Sequence, residues 1–155
     1  MILWFIGQPQ SGKTTLAKYL QANPSGLGRF IHFDGDDLRK IFGNNSYSPE
    51  TFTREWREEQ TRILQKMVAY IADQGFSVIV STVNPYRNVR EEFKNSRSDV
   101  IEIYVHKSVA RDREKFNVSD YEIPEKNFVD IDTTEDSIKQ SFKKLYDNIY
   151  GRRLY

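Results

Sequence analysis

Two rhythms of apolar and polar positions run along this chain, and the switches between them predict its elements. Five short runs rich in β-branched and aromatic residues, Ile2–Ile6, Arg29–Phe33, Phe76–Thr82, Val100–Val105 and Phe128–Ile131, read as strands. The stretches between them repeat apolar residues every three or four positions, the period of a helix with one buried face. Lys13–Ala22 reads as the first helix, closed by the turn residues Asn23, Pro24, Ser25 and Gly26. Leu38–Phe42 reads as a short second one. Glu55–Gln74 is the clearest helix: Trp56, Ile63, Leu64, Met67, Val68 and Ile71 fall on one face, and Gly75 supplies the stop. A last helix over Glu135–Tyr150 aligns Ile138, Phe142, Leu145 and Ile149. Strands alternating with helices argue for an α/β chain with a parallel sheet and crossover helices. Neither an internal repeat nor a low-complexity linker interrupts the pattern, so residues 1–155 are expected to form one domain.

The junction between the first strand and the first helix carries a chemical signature. Gly7-Gln8-Pro9-Gln10-Ser11-Gly12-Lys13-Thr14 is a complete phosphate-binding loop of the form G-x-x-x-x-G-K-[ST]. The strand delivers the chain into a tight turn that glycine permits. The turn's N–H groups point inward, and the helix adds its positive N-terminal end. The expected ligand is a nucleoside triphosphate held by Gly7 through Thr15, with Lys13 on the β and γ phosphates and Thr14 on Mg²⁺.

Such a loop does not say whether the nucleotide is hydrolysed, used as a donor or merely sensed, so the ends of the other strands matter. The second strand runs into Asp34-Gly35-Asp36-Asp37-Leu38-Arg39, placing Asp34 and Asp36 at the carboxyl end of a strand expected next to the first, where open α/β sheets bind ligands. Phosphoryl transfer to a hydroxyl needs one group to orient the acceptor and a carboxylate to organise Mg²⁺, and this pair could serve both. The competing reading makes Asp36 or Asp37 a helix cap. The third strand ends at Asn84-Pro85-Tyr86-Arg87, where Pro85 favours an extended residue before it and holds a rigid turn. Asn84 and Arg87 are then substrate-positioning groups, or else Arg87 and Arg90 are solvated at a helix start. Arg54, Arg57 and Arg62 sit among acidic neighbours, as do Arg111, Arg113 and Lys115. Each set is a solvated helix face, or an anion clamp if it faces the loop.

Composition narrows the partners. Lys+Arg 23 against Asp+Glu 22 gives a net charge of +1, so no global field favours a nucleic acid or an anionic membrane surface. Cys 0 excludes disulfides and thiolate metal sites and is compatible with a reducing cytoplasm. The apolar run Ile2–Ile6 is too short for a signal peptide core or a membrane span. With Tyr 9 and Phe 10, the rings serve a core or a base-stacking pocket.

Taken together, Gly7–Thr15, Asp34–Arg39, Asn84–Arg87, Ala110–Asp112, Tyr121–Pro124 and Ile131–Thr134 resemble the adenylylsulfate kinase family in order and approximate spacing over nearly the whole chain. The resemblance implies a three-layer αβα P-loop kinase fold around a central five-stranded parallel sheet. It implies ATP as phosphate donor with Mg²⁺, and the ribose 3′-hydroxyl of adenylyl sulfate as acceptor, giving PAPS. Catalysis would fall to Lys13, Asp34 and Asp36, with Thr14 and Asp34 holding the metal. Beyond the loop, ATP would be contacted by Arg111 from a lid and by Asp132 and Thr133 beside the adenine. The acceptor would meet Asp36, Arg39, Arg54, Arg57, Asn84, Pro85 and Tyr86, with Tyr47 stacked on its base. A small-molecule nucleotide substrate, a homodimer and a cytoplasmic location are implied as well.

Three departures from the family pattern touch the acceptor and the lid. Thr82-Val83-Asn84-Pro85-Tyr86-Arg87 stands where the family reads F-I-S-P-Y-R, and loses the serine hydroxyl. Arg54-Glu55-Trp56-Arg57 stands where it reads R-x-E-N, putting a cation in place of a neutral amide. After Arg111-Asp112-Arg113-Glu114-Lys115-Phe116-Asn117 the chain passes almost directly to Tyr121-Glu122, without the family's longer basic stretch. Another nucleotide acceptor, such as cytidine diphosphoramidate, therefore stays open. A polynucleotide 5′-hydroxyl is disfavoured by the near-neutral charge. A non-catalytic nucleotide switch is disfavoured by the paired carboxylates and the absence of an N-K-x-D motif.

Overall fold

The computed structural model describes residues 1–24, 26–41, 53–108 and 117–153. Its elements in chain order are β1 (Ile2–Ile6), α1 (Lys13–Ala22), β2 (Phe30–Asp34), α2 (Gly35–Ile41), α3 (Arg54–Asp73), β3 (Ser77–Ser81), α4 (Arg87–Ser96), β4 (Val100–His106), β5 (Phe128–Asp132) and α5 (Ile138–Arg153). Every strand pairing is parallel, and the strand order is β2-β3-β1-β4-β5. β1 is central and buried along its whole length, as its unbroken apolar run requires of a strand covered on both faces.

Alternation along β1 divides the core between two helical layers. Leu3 and Phe5 pack on one face with Leu16 and Leu20 of α1 and Leu145 and Ile149 of α5. Ile2, Trp4 and Ile6 pack on the other with Leu64 and Val68 of α3 and Phe93 of α4. The register sets Phe5 abreast of Ser81 and Ser81 abreast of Asp34, so the carboxyl ends of β1, β3 and β2 are level. β1 is followed by α1 on one face and the neighbouring β3 by α4 on the other, so the connections diverge between β1 and β3, where open α/β sheets form a crevice.

Several element bounds differ from those the pattern predicts, each for a local reason. α5 begins at Ile138 and not at Glu135, because Ser137 and Gln140 close a capping box: Gln140 N donates to Ser137 Oγ (3.4 Å) and Ser137 N to Gln140 Oε1 (2.9 Å). α2 begins at Gly35, three residues early, with Asp34 Oδ1 accepting from Asp36 N at 2.9 Å. The expected cap at Asp36 or Asp37 is therefore supplied by Asp34. Phe76 lies outside β3 and is exposed. On α3, Ile63 is exposed against expectation and Trp56 is only half-buried. Gln65 is buried there instead, its Nε2 donating to Val89 O at 2.9 Å to join α3 to α4. Gly75 follows α3 at φ 89°, the left-handed conformation that glycine adopts without strain. Among the described residues no helix is long and apolar enough to cross a membrane.

Candidate active site

The phosphate loop has the backbone its glycines predict. Gly7 (φ 141°) and Gly12 (φ 99°) are in conformations that side chains disfavour, and a Cβ on Gly7 would lie 2.0 Å from Val105 O. Gln10 (φ 66°) shares the left-handed region without glycine's freedom, a strain that is typical of ligand loops. Gly12 is the N-cap of α1 and brings no side-chain hydrogen bond, which leaves the helix's first N–H groups to a ligand. Lys13 is 8% exposed, and its Nζ donates to Gln8 O (2.7 Å) and Ser11 Oγ (3.4 Å). Burial lowers its pKa to about 8, against the opposing pull of Asp34.

Two contacts brace this loop from outside. Thr133 Oγ1 donates to Ser11 O at 2.9 Å, and Thr133 N to His106 O at 2.9 Å, tying the loop to the end of β4. Asp132 accepts the backbone N–H (2.8 Å) and hydroxyl (2.5 Å) of Thr134, which hold its carboxyl below its usual range. Gln8 pairs its amide with one backbone unit: Nε2 donates to Val118 O (2.8 Å), and Val118 N donates to Oε1 (2.9 Å). Pro9 and Thr15 complete the loop, half-buried and exposed respectively.

Asp34 is the carboxylate the fold delivers to the loop. Its Oδ2 accepts from Thr14 Oγ1 and Ser81 Oγ, each at 2.7 Å. Because the Thr14 hydroxyl gives its proton to Asp34, its lone pairs are free for a cation. Thr14 and Asp34 are thus a hard-oxygen pair beside a phosphate loop, which suits Mg²⁺ completed by phosphate oxygens and water. Among the described residues there is no group of three or more His, Cys, Asp or Glu that could hold a metal without such help. Asp36 diverges from Asp34: it is exposed and pairs with Arg39 on the surface of α2. The two carboxylates do not meet in one cluster.

The turn after β3 is assembled by a second segment, residues 121–125. Asn84 is buried with φ 42°, not the extended form expected before proline; asparagine tolerates the left-handed region better than most residues. Its carbonyl accepts from Arg90 Nη1 at 2.8 Å, and Arg90 Nη2 donates to Glu122 O at 2.5 Å. Arg90 is 3% exposed and ion-paired to the buried Glu102 (2.7 Å), so it is not the solvated residue of the alternative reading. Glu122 N donates to Pro85 O (2.9 Å), and Glu122 Oε2 accepts from Arg87 N (2.7 Å) at the start of α4. Arg87 itself is turned to Ile123 O and Glu125.

Arg54 lies between the two readings offered for it. It pairs with Glu58 (2.9 Å) and Glu122 (3.1 Å), as a laced helix face would, and its guanidinium stands 4.3 Å over the buried ring of Tyr86. Burial and a hydrogen bond to Asp120 raise the Tyr86 pKa. Arg57 sits on the next turn of the same helix, half-buried. Arg62 follows the solvated reading, paired with Glu58 and Glu92. Tyr47 and Arg111 lie outside the described residues, as do Arg113 and Lys115. Sequence reasoning did not select Ser81, Arg90 or Glu122. Ser81 carried one usable signal, a hydroxyl near the carboxyl end of the strand read as Phe76–Thr82.

The family model described as adenylylsulphate kinase matches residues 1–131. The chain belongs to the adenylylsulphate kinase family. An adenylyl-sulfate kinase of Staphylococcus carnosus is 28% identical over 176 residues, covering 99% of this chain and 86% of that protein. A cytidine diphosphoramidate kinase of Campylobacter jejuni is 31% identical over 117 residues, covering 72% of this chain and 66% of that one. The fold matches the Mycobacterium tuberculosis APS kinase solved in complex with AMPPNP and APS, at a TM-score of 0.75, 20% identity and 96% coverage of both chains. Membership of this kinase family makes the protein an ATP-dependent phosphotransferase with a three-layer α/β fold.

Proposed function

We propose that this family member transfers the γ-phosphate of ATP to the ribose 3′-hydroxyl of adenylyl sulfate, yielding PAPS and ADP in the cytoplasm. The observation that carries the reading is the junction of Lys13, Thr14 and Asp34 at the level carboxyl ends of β1 and β2, with the Asn84–Tyr86 turn close by on β3. MgATP would lie in the Gly7–Thr15 loop. Its Mg²⁺ would be held by Thr14 and Asp34 together with phosphate oxygens, and would neutralise charge on the transferring group. Lys13 would leave its bonds to Gln8 O and Ser11 Oγ for the phosphates, while Thr133 holds the loop and, with Asp132, would lie beside the adenine. The acceptor would lie over Tyr86, Arg54 and Arg57, with Asp36 and Arg39 at the entrance from α2. Most of the acceleration would come from positioning and charge stabilisation.

A second acceptor is favoured by a specific finding, the 31% identity to a cytidine diphosphoramidate kinase, together with the departures at Thr82–Asn84 and Arg57. One assay separates the two. The protein is incubated with MgATP and, in separate reactions, adenylyl sulfate, cytidine diphosphoramidate and a 5′-hydroxyl oligonucleotide, and the products are weighed by mass spectrometry. A phosphorylated adenylyl sulfate supports the proposal, a phosphorylated cytidine compound alone replaces it, and ADP with free phosphate in every tube refutes both. A homodimer belongs to the same proposal, and light scattering on the eluting protein tests it.

A further inference from the structure

The cluster around Asp34 does not stop at the groups that would meet ATP. Ser81 Oγ, 3% exposed, lies 2.7 Å from Asp34 Oδ2 on one side and 2.8 Å from His32 Nε2 on the other. A hydroxyl has one proton, and an ionised carboxylate can only accept. The Ser81 proton is therefore given to Asp34, and Ser81 must accept from His32, so the imidazole carries hydrogen on Nε2. Strand geometry makes the arrangement possible. His32 and Asp34 are two residues apart on β2 and share a face, and the parallel register places Ser81 directly beside Asp34.

We propose that His32 is a positioning residue for phosphoryl transfer, holding the Ser81 hydroxyl toward Asp34 so that Asp34 keeps one rotamer and presents Thr14 in one orientation. Asp34 receives three donors: Thr14 and Ser81 on Oδ2 and the Asp36 N–H on Oδ1. Two of the three are hydroxyls whose protons can rotate, and of these Ser81 is the one whose orientation is set by a further partner, His32. A serine that receives a hydrogen bond also donates a stronger one, because chained hydrogen bonds polarise each other. His32 is half-buried on edge strand β2, beside the site but separated from Asp34 by one hydroxyl. The inference rests on the role proposed for Asp34 and Thr14, not on the identity of the acceptor.

The test uses the full-length protein and begins with a readout independent of any acceptor. Nitrogen-15 shifts of the neutral His32 ring should report hydrogen on Nε2, and Ser81→Ala should weaken that preference. For kinetics, His32→Leu with MgATP and whichever acceptor the product assay identifies should lower kcat about tenfold, with KM for ATP nearly unchanged. His32→Gln, which keeps a donor near the Nε2 position, should restore most of the loss. The double variant His32→Leu/Ser81→Ala should be no slower than Ser81→Ala alone. Hydrogen on Nδ1, a full kcat in His32→Leu, or losses that multiply in the double variant would each overturn the proposal. If adenylyl sulfate is not phosphorylated while the ring still shows the Nε2 form, the acceptor assignment fails and the positioning role survives.

Discussion

The phosphate loop and the turn after β3 follow adjacent parallel strands but are built by opposite means. The loop is eight contiguous residues whose shape is set by backbone conformation, with Gly7 and Gly12 at positive φ and one cation, Lys13, folded inward. The Asn84–Tyr86 turn has no such autonomy. Its shape depends on Arg90 from α4, on Glu122 and Ile123 from a segment more than thirty residues on, and on the buried Glu102 of β4. A contiguous loop can be kept in many proteins while an assembled turn changes with its supports. That is a physical reason for phosphate-donor binding to be common to a fold and acceptor choice to vary.

The sharpest way to break the comparison is to remove the loop's inward-folded cation. Lys13→Ala should lower turnover by about 10³-fold, the scale expected for losing a group that stabilises transition-state charge. It should leave stability unchanged or somewhat raised, since burying the ammonium costs the fold, as its lowered pKa shows. Steady-state kinetics beside thermal melting would show the split, and a large fall in melting temperature would contradict it.

The assembled turn should respond the other way. Arg90→Met removes a buried guanidinium from Glu102 and two bonds from the backbone at Asn84 and Glu122. Lys94 remains on Glu102, so the loss should sit at the low end for a broken buried pair, about 3 kcal/mol by urea unfolding. KM for the acceptor should rise more than KM for ATP. Equal rises in both would mean that the turn and the loop are not independent.

A third test uses pH. Lys13 titrates near 8 in the folded protein against its ordinary 10.5, so between those values the unfolded chain binds more protons. Stability of the ligand-free protein should therefore rise with pH from about 8 toward 10.5. Affinity for ATP should run in the opposite direction, weakening by about tenfold per pH unit above 8, because the phosphates favour the charged amine. Calorimetry in buffers of different ionisation enthalpy would detect the proton taken up on binding, and its absence in Lys13→Ala would assign it.

What was legible in the chain follows the same division. β1, α1 and the loop between them are specified by adjacent residues, and the bounds of β1 and α1 emerge unchanged from the pattern. Asp34 was legible as a carboxylate at a strand's carboxyl end, but the strand expected next to β1 is separated from it by β3, and Asp34 reaches the loop through Thr14. The partners of Asn84 were not, because Arg90 reads as a surface residue of an acidic and basic helix until Glu102 is found beneath it. Asp36 shows a related limit: spacing alone places it with Asp34, whereas the helix that starts at Gly35 turns it outward to Arg39.

The smallest effect should come from Thr53, which sits where the assembled side meets a local rule. Its hydroxyl accepts from Trp56 N at 3.2 Å and caps α3, and the next residue is Arg54. Thr53→Ala should cost about 1 kcal/mol of stability by removing the cap. It should also loosen the first turn of α3, where Arg54 is held by Glu58 and Glu122 over the Tyr86 ring. If Arg54 reads the acceptor, KM for the acceptor should rise severalfold while KM for ATP stays fixed. If Arg54 is only a laced surface residue, stability should fall and neither KM should move. Because the substitution touches no residue of the phosphate loop, a change in KM for ATP would argue that α3 and the loop are mechanically joined, and that the contrast between the two regions is weaker than their construction implies.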